Sequence, residues 1–124
     1  MTARTIFQVA GWCCIVAICA LSLVAPSLRP VTFLPHGLEH AAIFAAAGFM
    51  VGFGYPERPL LQMAAFMVFA AAIELAQLYV PGRHARLIDF AVDAAAACAG
   101  VACAVLFARV RVRLAAVRVR VIPD

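Results

Sequence analysis

Four apolar runs of about twenty residues, parted only by short turns rich in proline, glycine and arginine, leave this chain very few ways to fold. A helix that crosses a bilayer needs about 20 consecutive, mostly apolar residues. Four such runs and their connections use up nearly all of the 124 residues, so no separate soluble domain fits. The composition agrees: 67% of residues are hydrophobic and 13% charged, and the mean hydropathy is +1.04, far from the balance of a soluble globular domain. The expected fold is all-α, an integral membrane bundle of four transmembrane helices over residues 1–108, followed by a basic tail over 109–124.

The runs have firm ends. The first covers residues 6–25 and closes at Pro26, Arg29 and Pro30, where a helix is hard to continue. A signal peptide is the competing reading. Its apolar core would span about 7–15 residues, and here Pro26 directly follows the only small-residue cleavage point, Ala25, so the run is expected to persist as a helix. The second, 38–53, ends at Gly54-Tyr55-Pro56-Glu57-Arg58-Pro59 and carries Gly48 and Gly52. That GxxxG step lets two helix backbones approach closely in lipid and offers a face for a homo-oligomer. The third, 60–80, breaks at Pro81-Gly82, and the fourth runs over 87–107. Small residues from Ala94 to Cys103 mark the fourth as the expected central helix, because close van der Waals contact is what associates helices in lipid.

The net charge of +4 rests on ten arginines and no lysine, and five of those arginines follow Phe107. No zinc-finger, helix-turn-helix or RNP-like pattern accompanies them, which sets nucleic acid aside. With both termini cytoplasmic, Arg4, Arg58, Arg109, Arg111, Arg113, Arg118 and Arg120 lie inside and Arg29, Arg83 and Arg86 outside, seven against three, in line with the positive-inside rule. The pair in Arg83-His84-Ala85-Arg86 runs against that rule and needs another reason. The alternating Arg/Val stretch after Ala108 would be an unpartnered strand. As a helix its arginines reach lipid head groups, so it is expected to anchor on anionic lipid rather than dock a protein. Cys13, Cys14, Cys19, Cys98 and Cys103 all sit in apolar runs without a CxxC pair and read as small hydrophobes.

Against this background a few polar residues stand out. Ionisable groups inside spans are costly and usually face the bundle interior or a wet cavity. Glu39 and His40 open the second run, Glu74 and Gln77 fall in the last third of the third, Arg83 and Arg86 follow, and Asp89 and Asp93 open the fourth. Alternating spans bring all of these to one membrane surface, the outer one in the expected orientation. Glu74 and Gln77 are spaced i,i+3 and Asp89 and Asp93 i,i+4, so each pair shares a helix face. Arg83 is the expected partner of Asp89 or Glu74, since a partly buried carboxylate without a cation or donors would protonate. The blander reading is an ion network that only fixes helix register. His36-Gly37-Leu38-Glu39-His40 also fits H-x-x-E-H, a zinc pattern with a general-base glutamate. It would need a third ligand such as Glu74 or Asp89, and His36 right after Pro35 suits a solvated interfacial histidine, so no metal or other cofactor is expected.

The stretch from His40 through Gly100 resembles the VanZ-like family of small membrane proteins, related to a teicoplanin-resistance protein. The residues that carry the likeness are His40 with Phe44 in an Ala/Phe-rich run, Glu74-Leu75-Ala76-Gln77 with Pro81-Gly82-Arg83 behind it, and Asp89 leading into a small-residue helix with Gly100. The chain departs from the family pattern at His36-Gly37, where an Asp-Lys pair is common, at Asp93 for Asn and at Ala96 for Gly. The resemblance implies a cell-envelope role linked to glycopeptide susceptibility, with no defined reaction attached.

Two functions are expected to compete. In the first, the polar cluster is a site at the outer face of a bacterial inner (plasma) membrane. His40, Glu74 and Asp89 are its candidate catalytic, proton-transfer groups, and Gln77, Arg83, Arg86 and Asp93 bind a membrane lipid such as an anionic lipid-linked envelope precursor. In the second, the protein is a non-enzymatic scaffold or accessory subunit and the cluster staples helices together. A transporter is a third class, disfavoured because four spans without internal repeats would need oligomerisation to make a path.

Overall fold

Each apolar run folds as a helix. The computed structural model describes residues 2–24, 36–82 and 85–121, in the order α1 (Ala3–Leu23), α2 (His36–Gly54), α3 (Pro59–Gln77) and α4 (Leu87–Val121). All four are long and apolar enough to cross a membrane.

Local chemistry sets the ends. Thr2 caps α1 by accepting the Thr5 backbone N–H at 3.2 Å, which starts the helix earlier than the apolar run alone suggests. Pro59 opens α3 at a position where its missing N–H is not needed. That helix ends at Gln77, three residues before the expected boundary. Leu78, Tyr79 and Val80 instead bond back to Leu75, Ala76 and Gln77 in a tightened i,i+3 turn, and Gly82, at φ 81°, turns the chain in the left-handed region that a glycine tolerates. Helix α4 runs unbroken through Ala108 to Val121, so the Arg/Val stretch is a helical continuation and not a strand.

The packing differs from expectation in one respect: α2, not α4, is central. It packs against α1, α3 and α4, whereas the backbones of α1 and α4 come nowhere within 8 Å, Cα to Cα, among the described residues. The α2–α4 pair is the closest in the bundle, and it is parallel, with His40 beside Asp93 and Gly52 beside Val101. A Cβ added to Gly48 would lie 2.1 Å from the carbonyl oxygen of Ala97, and one added to Gly100 would lie 2.1 Å from that of Ala45. The two glycines thus clear the way for each other's helix. Gly48 and Gly52 are both buried against α4, so the homo-oligomer expected through them has no face to use. Their small surface is spent within the chain. Phe44, Ala47, Ala97 and Val101 form the fully buried centre of the bundle.

Helix α1 is tied to the far end of α2. Gln8 and Arg4 donate to the carbonyl of Gly54 at 3.0 and 3.1 Å, Trp12 donates to the Tyr55 hydroxyl at 3.2 Å, and Arg4 pairs with Glu57. Phe53 meets Phe7 at 4.5 Å and Phe107 at 5.8 Å between ring centroids. The start of α1, the α2–α3 turn and the Phe107 level of α4 therefore share one end of the bundle. The opposite end holds the start of α2, the end of α3 and the start of α4.

Candidate functional site

That opposite end is where the apolar helices become polar. Two parallel helices, α2 and α4, both begin there, so two positive dipole ends face the same region. Carboxylates belong in such a place. Glu39 lies in the first turn of α2 and Asp89 in the first turn of α4. Glu74 arrives from α3 and accepts the backbone N–H of Arg86, just ahead of α4, at 2.6 Å. It serves as a tertiary cap on that helix.

One turn further into α4, Asp93 turns towards α2 and its Oδ2 meets His40 Nδ1 at 3.3 Å. The pair is largely shielded, with side-chain exposures of 12% for His40 and 5% for Asp93. The His40 ring also stacks on Phe44, 6.5 Å away between centroids, which holds it against the apolar centre. The second carboxylate oxygen of Asp93, Oδ1, is buried and has no hydrogen-bond partner among the described residues, and the same is true of Glu39 Oε1.

Between these groups lies a cavity of about 40 Å³, lined by Gly37, His40, Glu74, Gln77, Asp89, Val92 and Asp93. A single water needs about 10–15 Å³, so the cavity admits a few small groups and no sugar ring or peptide. Gly37 leaves it open on the α2 side, since a Cβ there would meet nothing within 4 Å.

The structure thus places five of the seven expected site residues around one space: His40, Glu74, Gln77, Asp89 and Asp93. Arg86 is not among the residues that line it. Arg86 holds Glu74 through its backbone amide while the residue itself is exposed. Arg83, expected to pair with Asp89 or Glu74, lies outside the described residues, as does His84. Among the described residues the partner of Glu74 is the backbone N–H of Arg86. Backbone donors are invisible to a search for opposite charges, and only the helix-start position of Arg86 hints at this one. Among the described residues no group of three His, Cys, Asp or Glu side chains is arranged to hold a metal ion.

Compared with family models, curated proteins and solved structures, the chain matches none. The chemistry of this polar end therefore has to be read from its own residues. It offers an imidazole–carboxylate pair able to pass a proton, two further carboxylates, an amide and a small space between them.

Proposed function

We propose that this chain is a multi-pass protein of the bacterial inner membrane whose polar end, at the outer surface, binds the head group of an anionic lipid-linked envelope precursor and exchanges a proton with it. The observation that carries the reading is the convergence of His40, Glu74, Gln77, Asp89 and Asp93 on one small cavity at one end of the bundle. Ionisable groups at that depth are costly, and five polar side chains from three helices exceed what joining one hairpin requires. In this reading His40, paired with Asp93, takes and returns the proton. Exposed Arg86 engages the anionic part of the head group outside the cavity, and Arg83 is the second arginine assigned to bind it. The outer location and cytoplasmic termini rest on the count of arginines in the short loops. A VanZ-like role in the response to teicoplanin-type glycopeptides extends the same reading, and its support is the run of motif residues from His40 to Gly100.

The test is lipid retention. Purified in mild detergent and analysed by native mass spectrometry, the wild type should carry a co-purified membrane lipid. Glu74→Gln and Arg83→Ala should lose it at unchanged membrane abundance, and equal retention in all three proteins would refute a binding site.

One pair of observations favours a second reading. The His40–Asp93 contact joins α2 to α4 and the Glu74–Arg86 bond joins α3 to α4, as a non-enzymatic scaffold or accessory subunit would need. Thermal unfolding in detergent separates the two. A scaffold loses folded protein in the Glu74→Gln variant, whereas a binding protein loses only its lipid.

A further inference from the structure

The cavity itself is acidic. Three carboxyl groups, Glu74, Asp89 and Asp93, line it beside one imidazole and one amide, and among the described residues no guanidinium does. Two helix N-termini contribute about half a positive charge each, and His40 when protonated contributes one more. With all three carboxylates ionised, roughly one negative charge still lacks a counter-charge. Asp93, only 3% exposed, lines this space and keeps one oxygen unpartnered, and a buried acceptor left unpaired is costly. An anion has no place in such a cavity. A small cation with hydrogen-bond donors does.

We propose that the cavity takes a primary ammonium group, that of an aminophospholipid head such as phosphatidylethanolamine, with the adjoining phosphate held outside by Arg86. This rests on the head-group site proposed above and goes beyond it by naming a zwitterionic phospholipid as the occupant: the phosphate stays at the rim and the ammonium enters. Volume is compatible with the choice, because about 40 Å³ holds an ammonium group, similar in size to a water, and a trimethylammonium is disfavoured because it has no N–H to donate to the acceptors there. The donor set supports it too. An ammonium has three N–H donors, and Asp93, Glu74 and Gln77 on the cavity wall carry carboxylate or amide oxygens, which accept them. The absence of a metal-like arrangement of three ligands among the described residues is no obstacle, since an ammonium uses longer bonds and accepts an amide oxygen as a partner.

The experiment loads the full-length protein, in detergent, with phosphatidylethanolamine, phosphatidylcholine or phosphatidylglycerol of identical acyl chains and reads retention by native mass spectrometry. A preference for phosphatidylethanolamine over phosphatidylcholine of about tenfold or more is expected, the scale of one charged hydrogen bond. Asp93→Asn, which keeps volume and a hydrogen-bonding side chain towards His40, should erase it. Should Asp93→Asn fail to fold, Gln77→Leu serves in its place and should cut the preference severalfold. Equal or stronger retention of phosphatidylglycerol overturns the ammonium assignment while leaving the head-group site standing. No retained lipid of any kind overturns both. Thermal stabilisation by free ethanolamine, without lipid discrimination, keeps the ammonium chemistry but refutes the lipid source. Stabilisation by sodium alone refutes the ammonium. Loss of fold on Arg83→Ala, with no lipid preference in the wild type, would identify the missing cation as that arginine and end the proposal.

Discussion

At the residue scale, the polar end is built from groups that each answer a local electrostatic demand. His40 and Asp93 illustrate the consequence. Removing His40 takes this contact from the shielded Asp93 carboxylate, a loss of about 3 kcal/mol. Because the two act together, His40→Ala combined with Asp93→Ala should be less destabilising than the sum of the single changes, by about 0.5–3 kcal/mol. A double-mutant cycle of unfolding in detergent measures that coupling, and strict additivity would show that the contact contributes nothing. Ser22 makes the opposite case. It is 1% exposed and its hydroxyl has no partner among the described residues, so Ser22→Ala should leave the unfolding temperature unchanged or raised. At the other end, Glu57 lies outside the membrane-spanning segments. A hydrogen bond from its own backbone, and then the Arg4 guanidinium, hold its carboxyl below the usual 4.5. A depressed folded-state pKa contributes stability that is present above the unfolded value near 4.5 and is lost as pH falls through the folded value. Glu57→Gln should therefore flatten the acid side of a plot of unfolding temperature against pH, by a small amount because the pair is exposed and screened by salt.

At the element scale, the α2–α4 interface decides the fold. Gly48 and Gly100 each face a carbonyl of the other helix so closely that a methyl group cannot be inserted without moving backbone. Overpacking typically costs about 1–3 kcal/mol, and more where backbone must shift. Gly48→Ala and Gly100→Ala should thus lower the yield of folded protein sharply. Gly37→Ala, with open space around its would-be Cβ, should fold like the wild type, and circular dichroism with gel filtration in detergent checks all three. The sequence motif was legible here, but its partner was not. A GxxxG step announces a close helix contact without saying whether the other helix belongs to the same chain. The central helix was misjudged for a related reason: the small residues of α4 mark one side of the interface, while α2 is central because it carries a second face for α1.

At the scale of the whole molecule, the two ends of the bundle differ in kind. One is closed by Arg4, Gln8, Trp12, Tyr55 and Glu57 tying α1 to the α2–α3 turn, and the other holds the acidic cavity. In the proposed orientation the cavity faces outward. A single cysteine placed at Ala85, in a background with the five native cysteines replaced, should react with a membrane-impermeant thiol reagent added outside intact cells. Labelling only after the cells are opened would invert the orientation and remove the envelope-facing role.

The number of helices, their approximate limits and the gathering of polar residues at one end were all written in the order of apolar and polar residues. They follow from a one-dimensional property, the partition of each segment between lipid and water, and from the alternation of direction that successive spans impose. The parallel contact of α2 with α4, the meeting of His40 with Asp93, the capping of Arg86 by Glu74 and the size of the cavity came only from the tertiary structure. In lipid every apolar face is equally well solvated, so hydrophobicity cannot choose between partners. The choice falls to steric fit between small residues and to backbone donors at helix ends, and neither is determined until the helices are side by side.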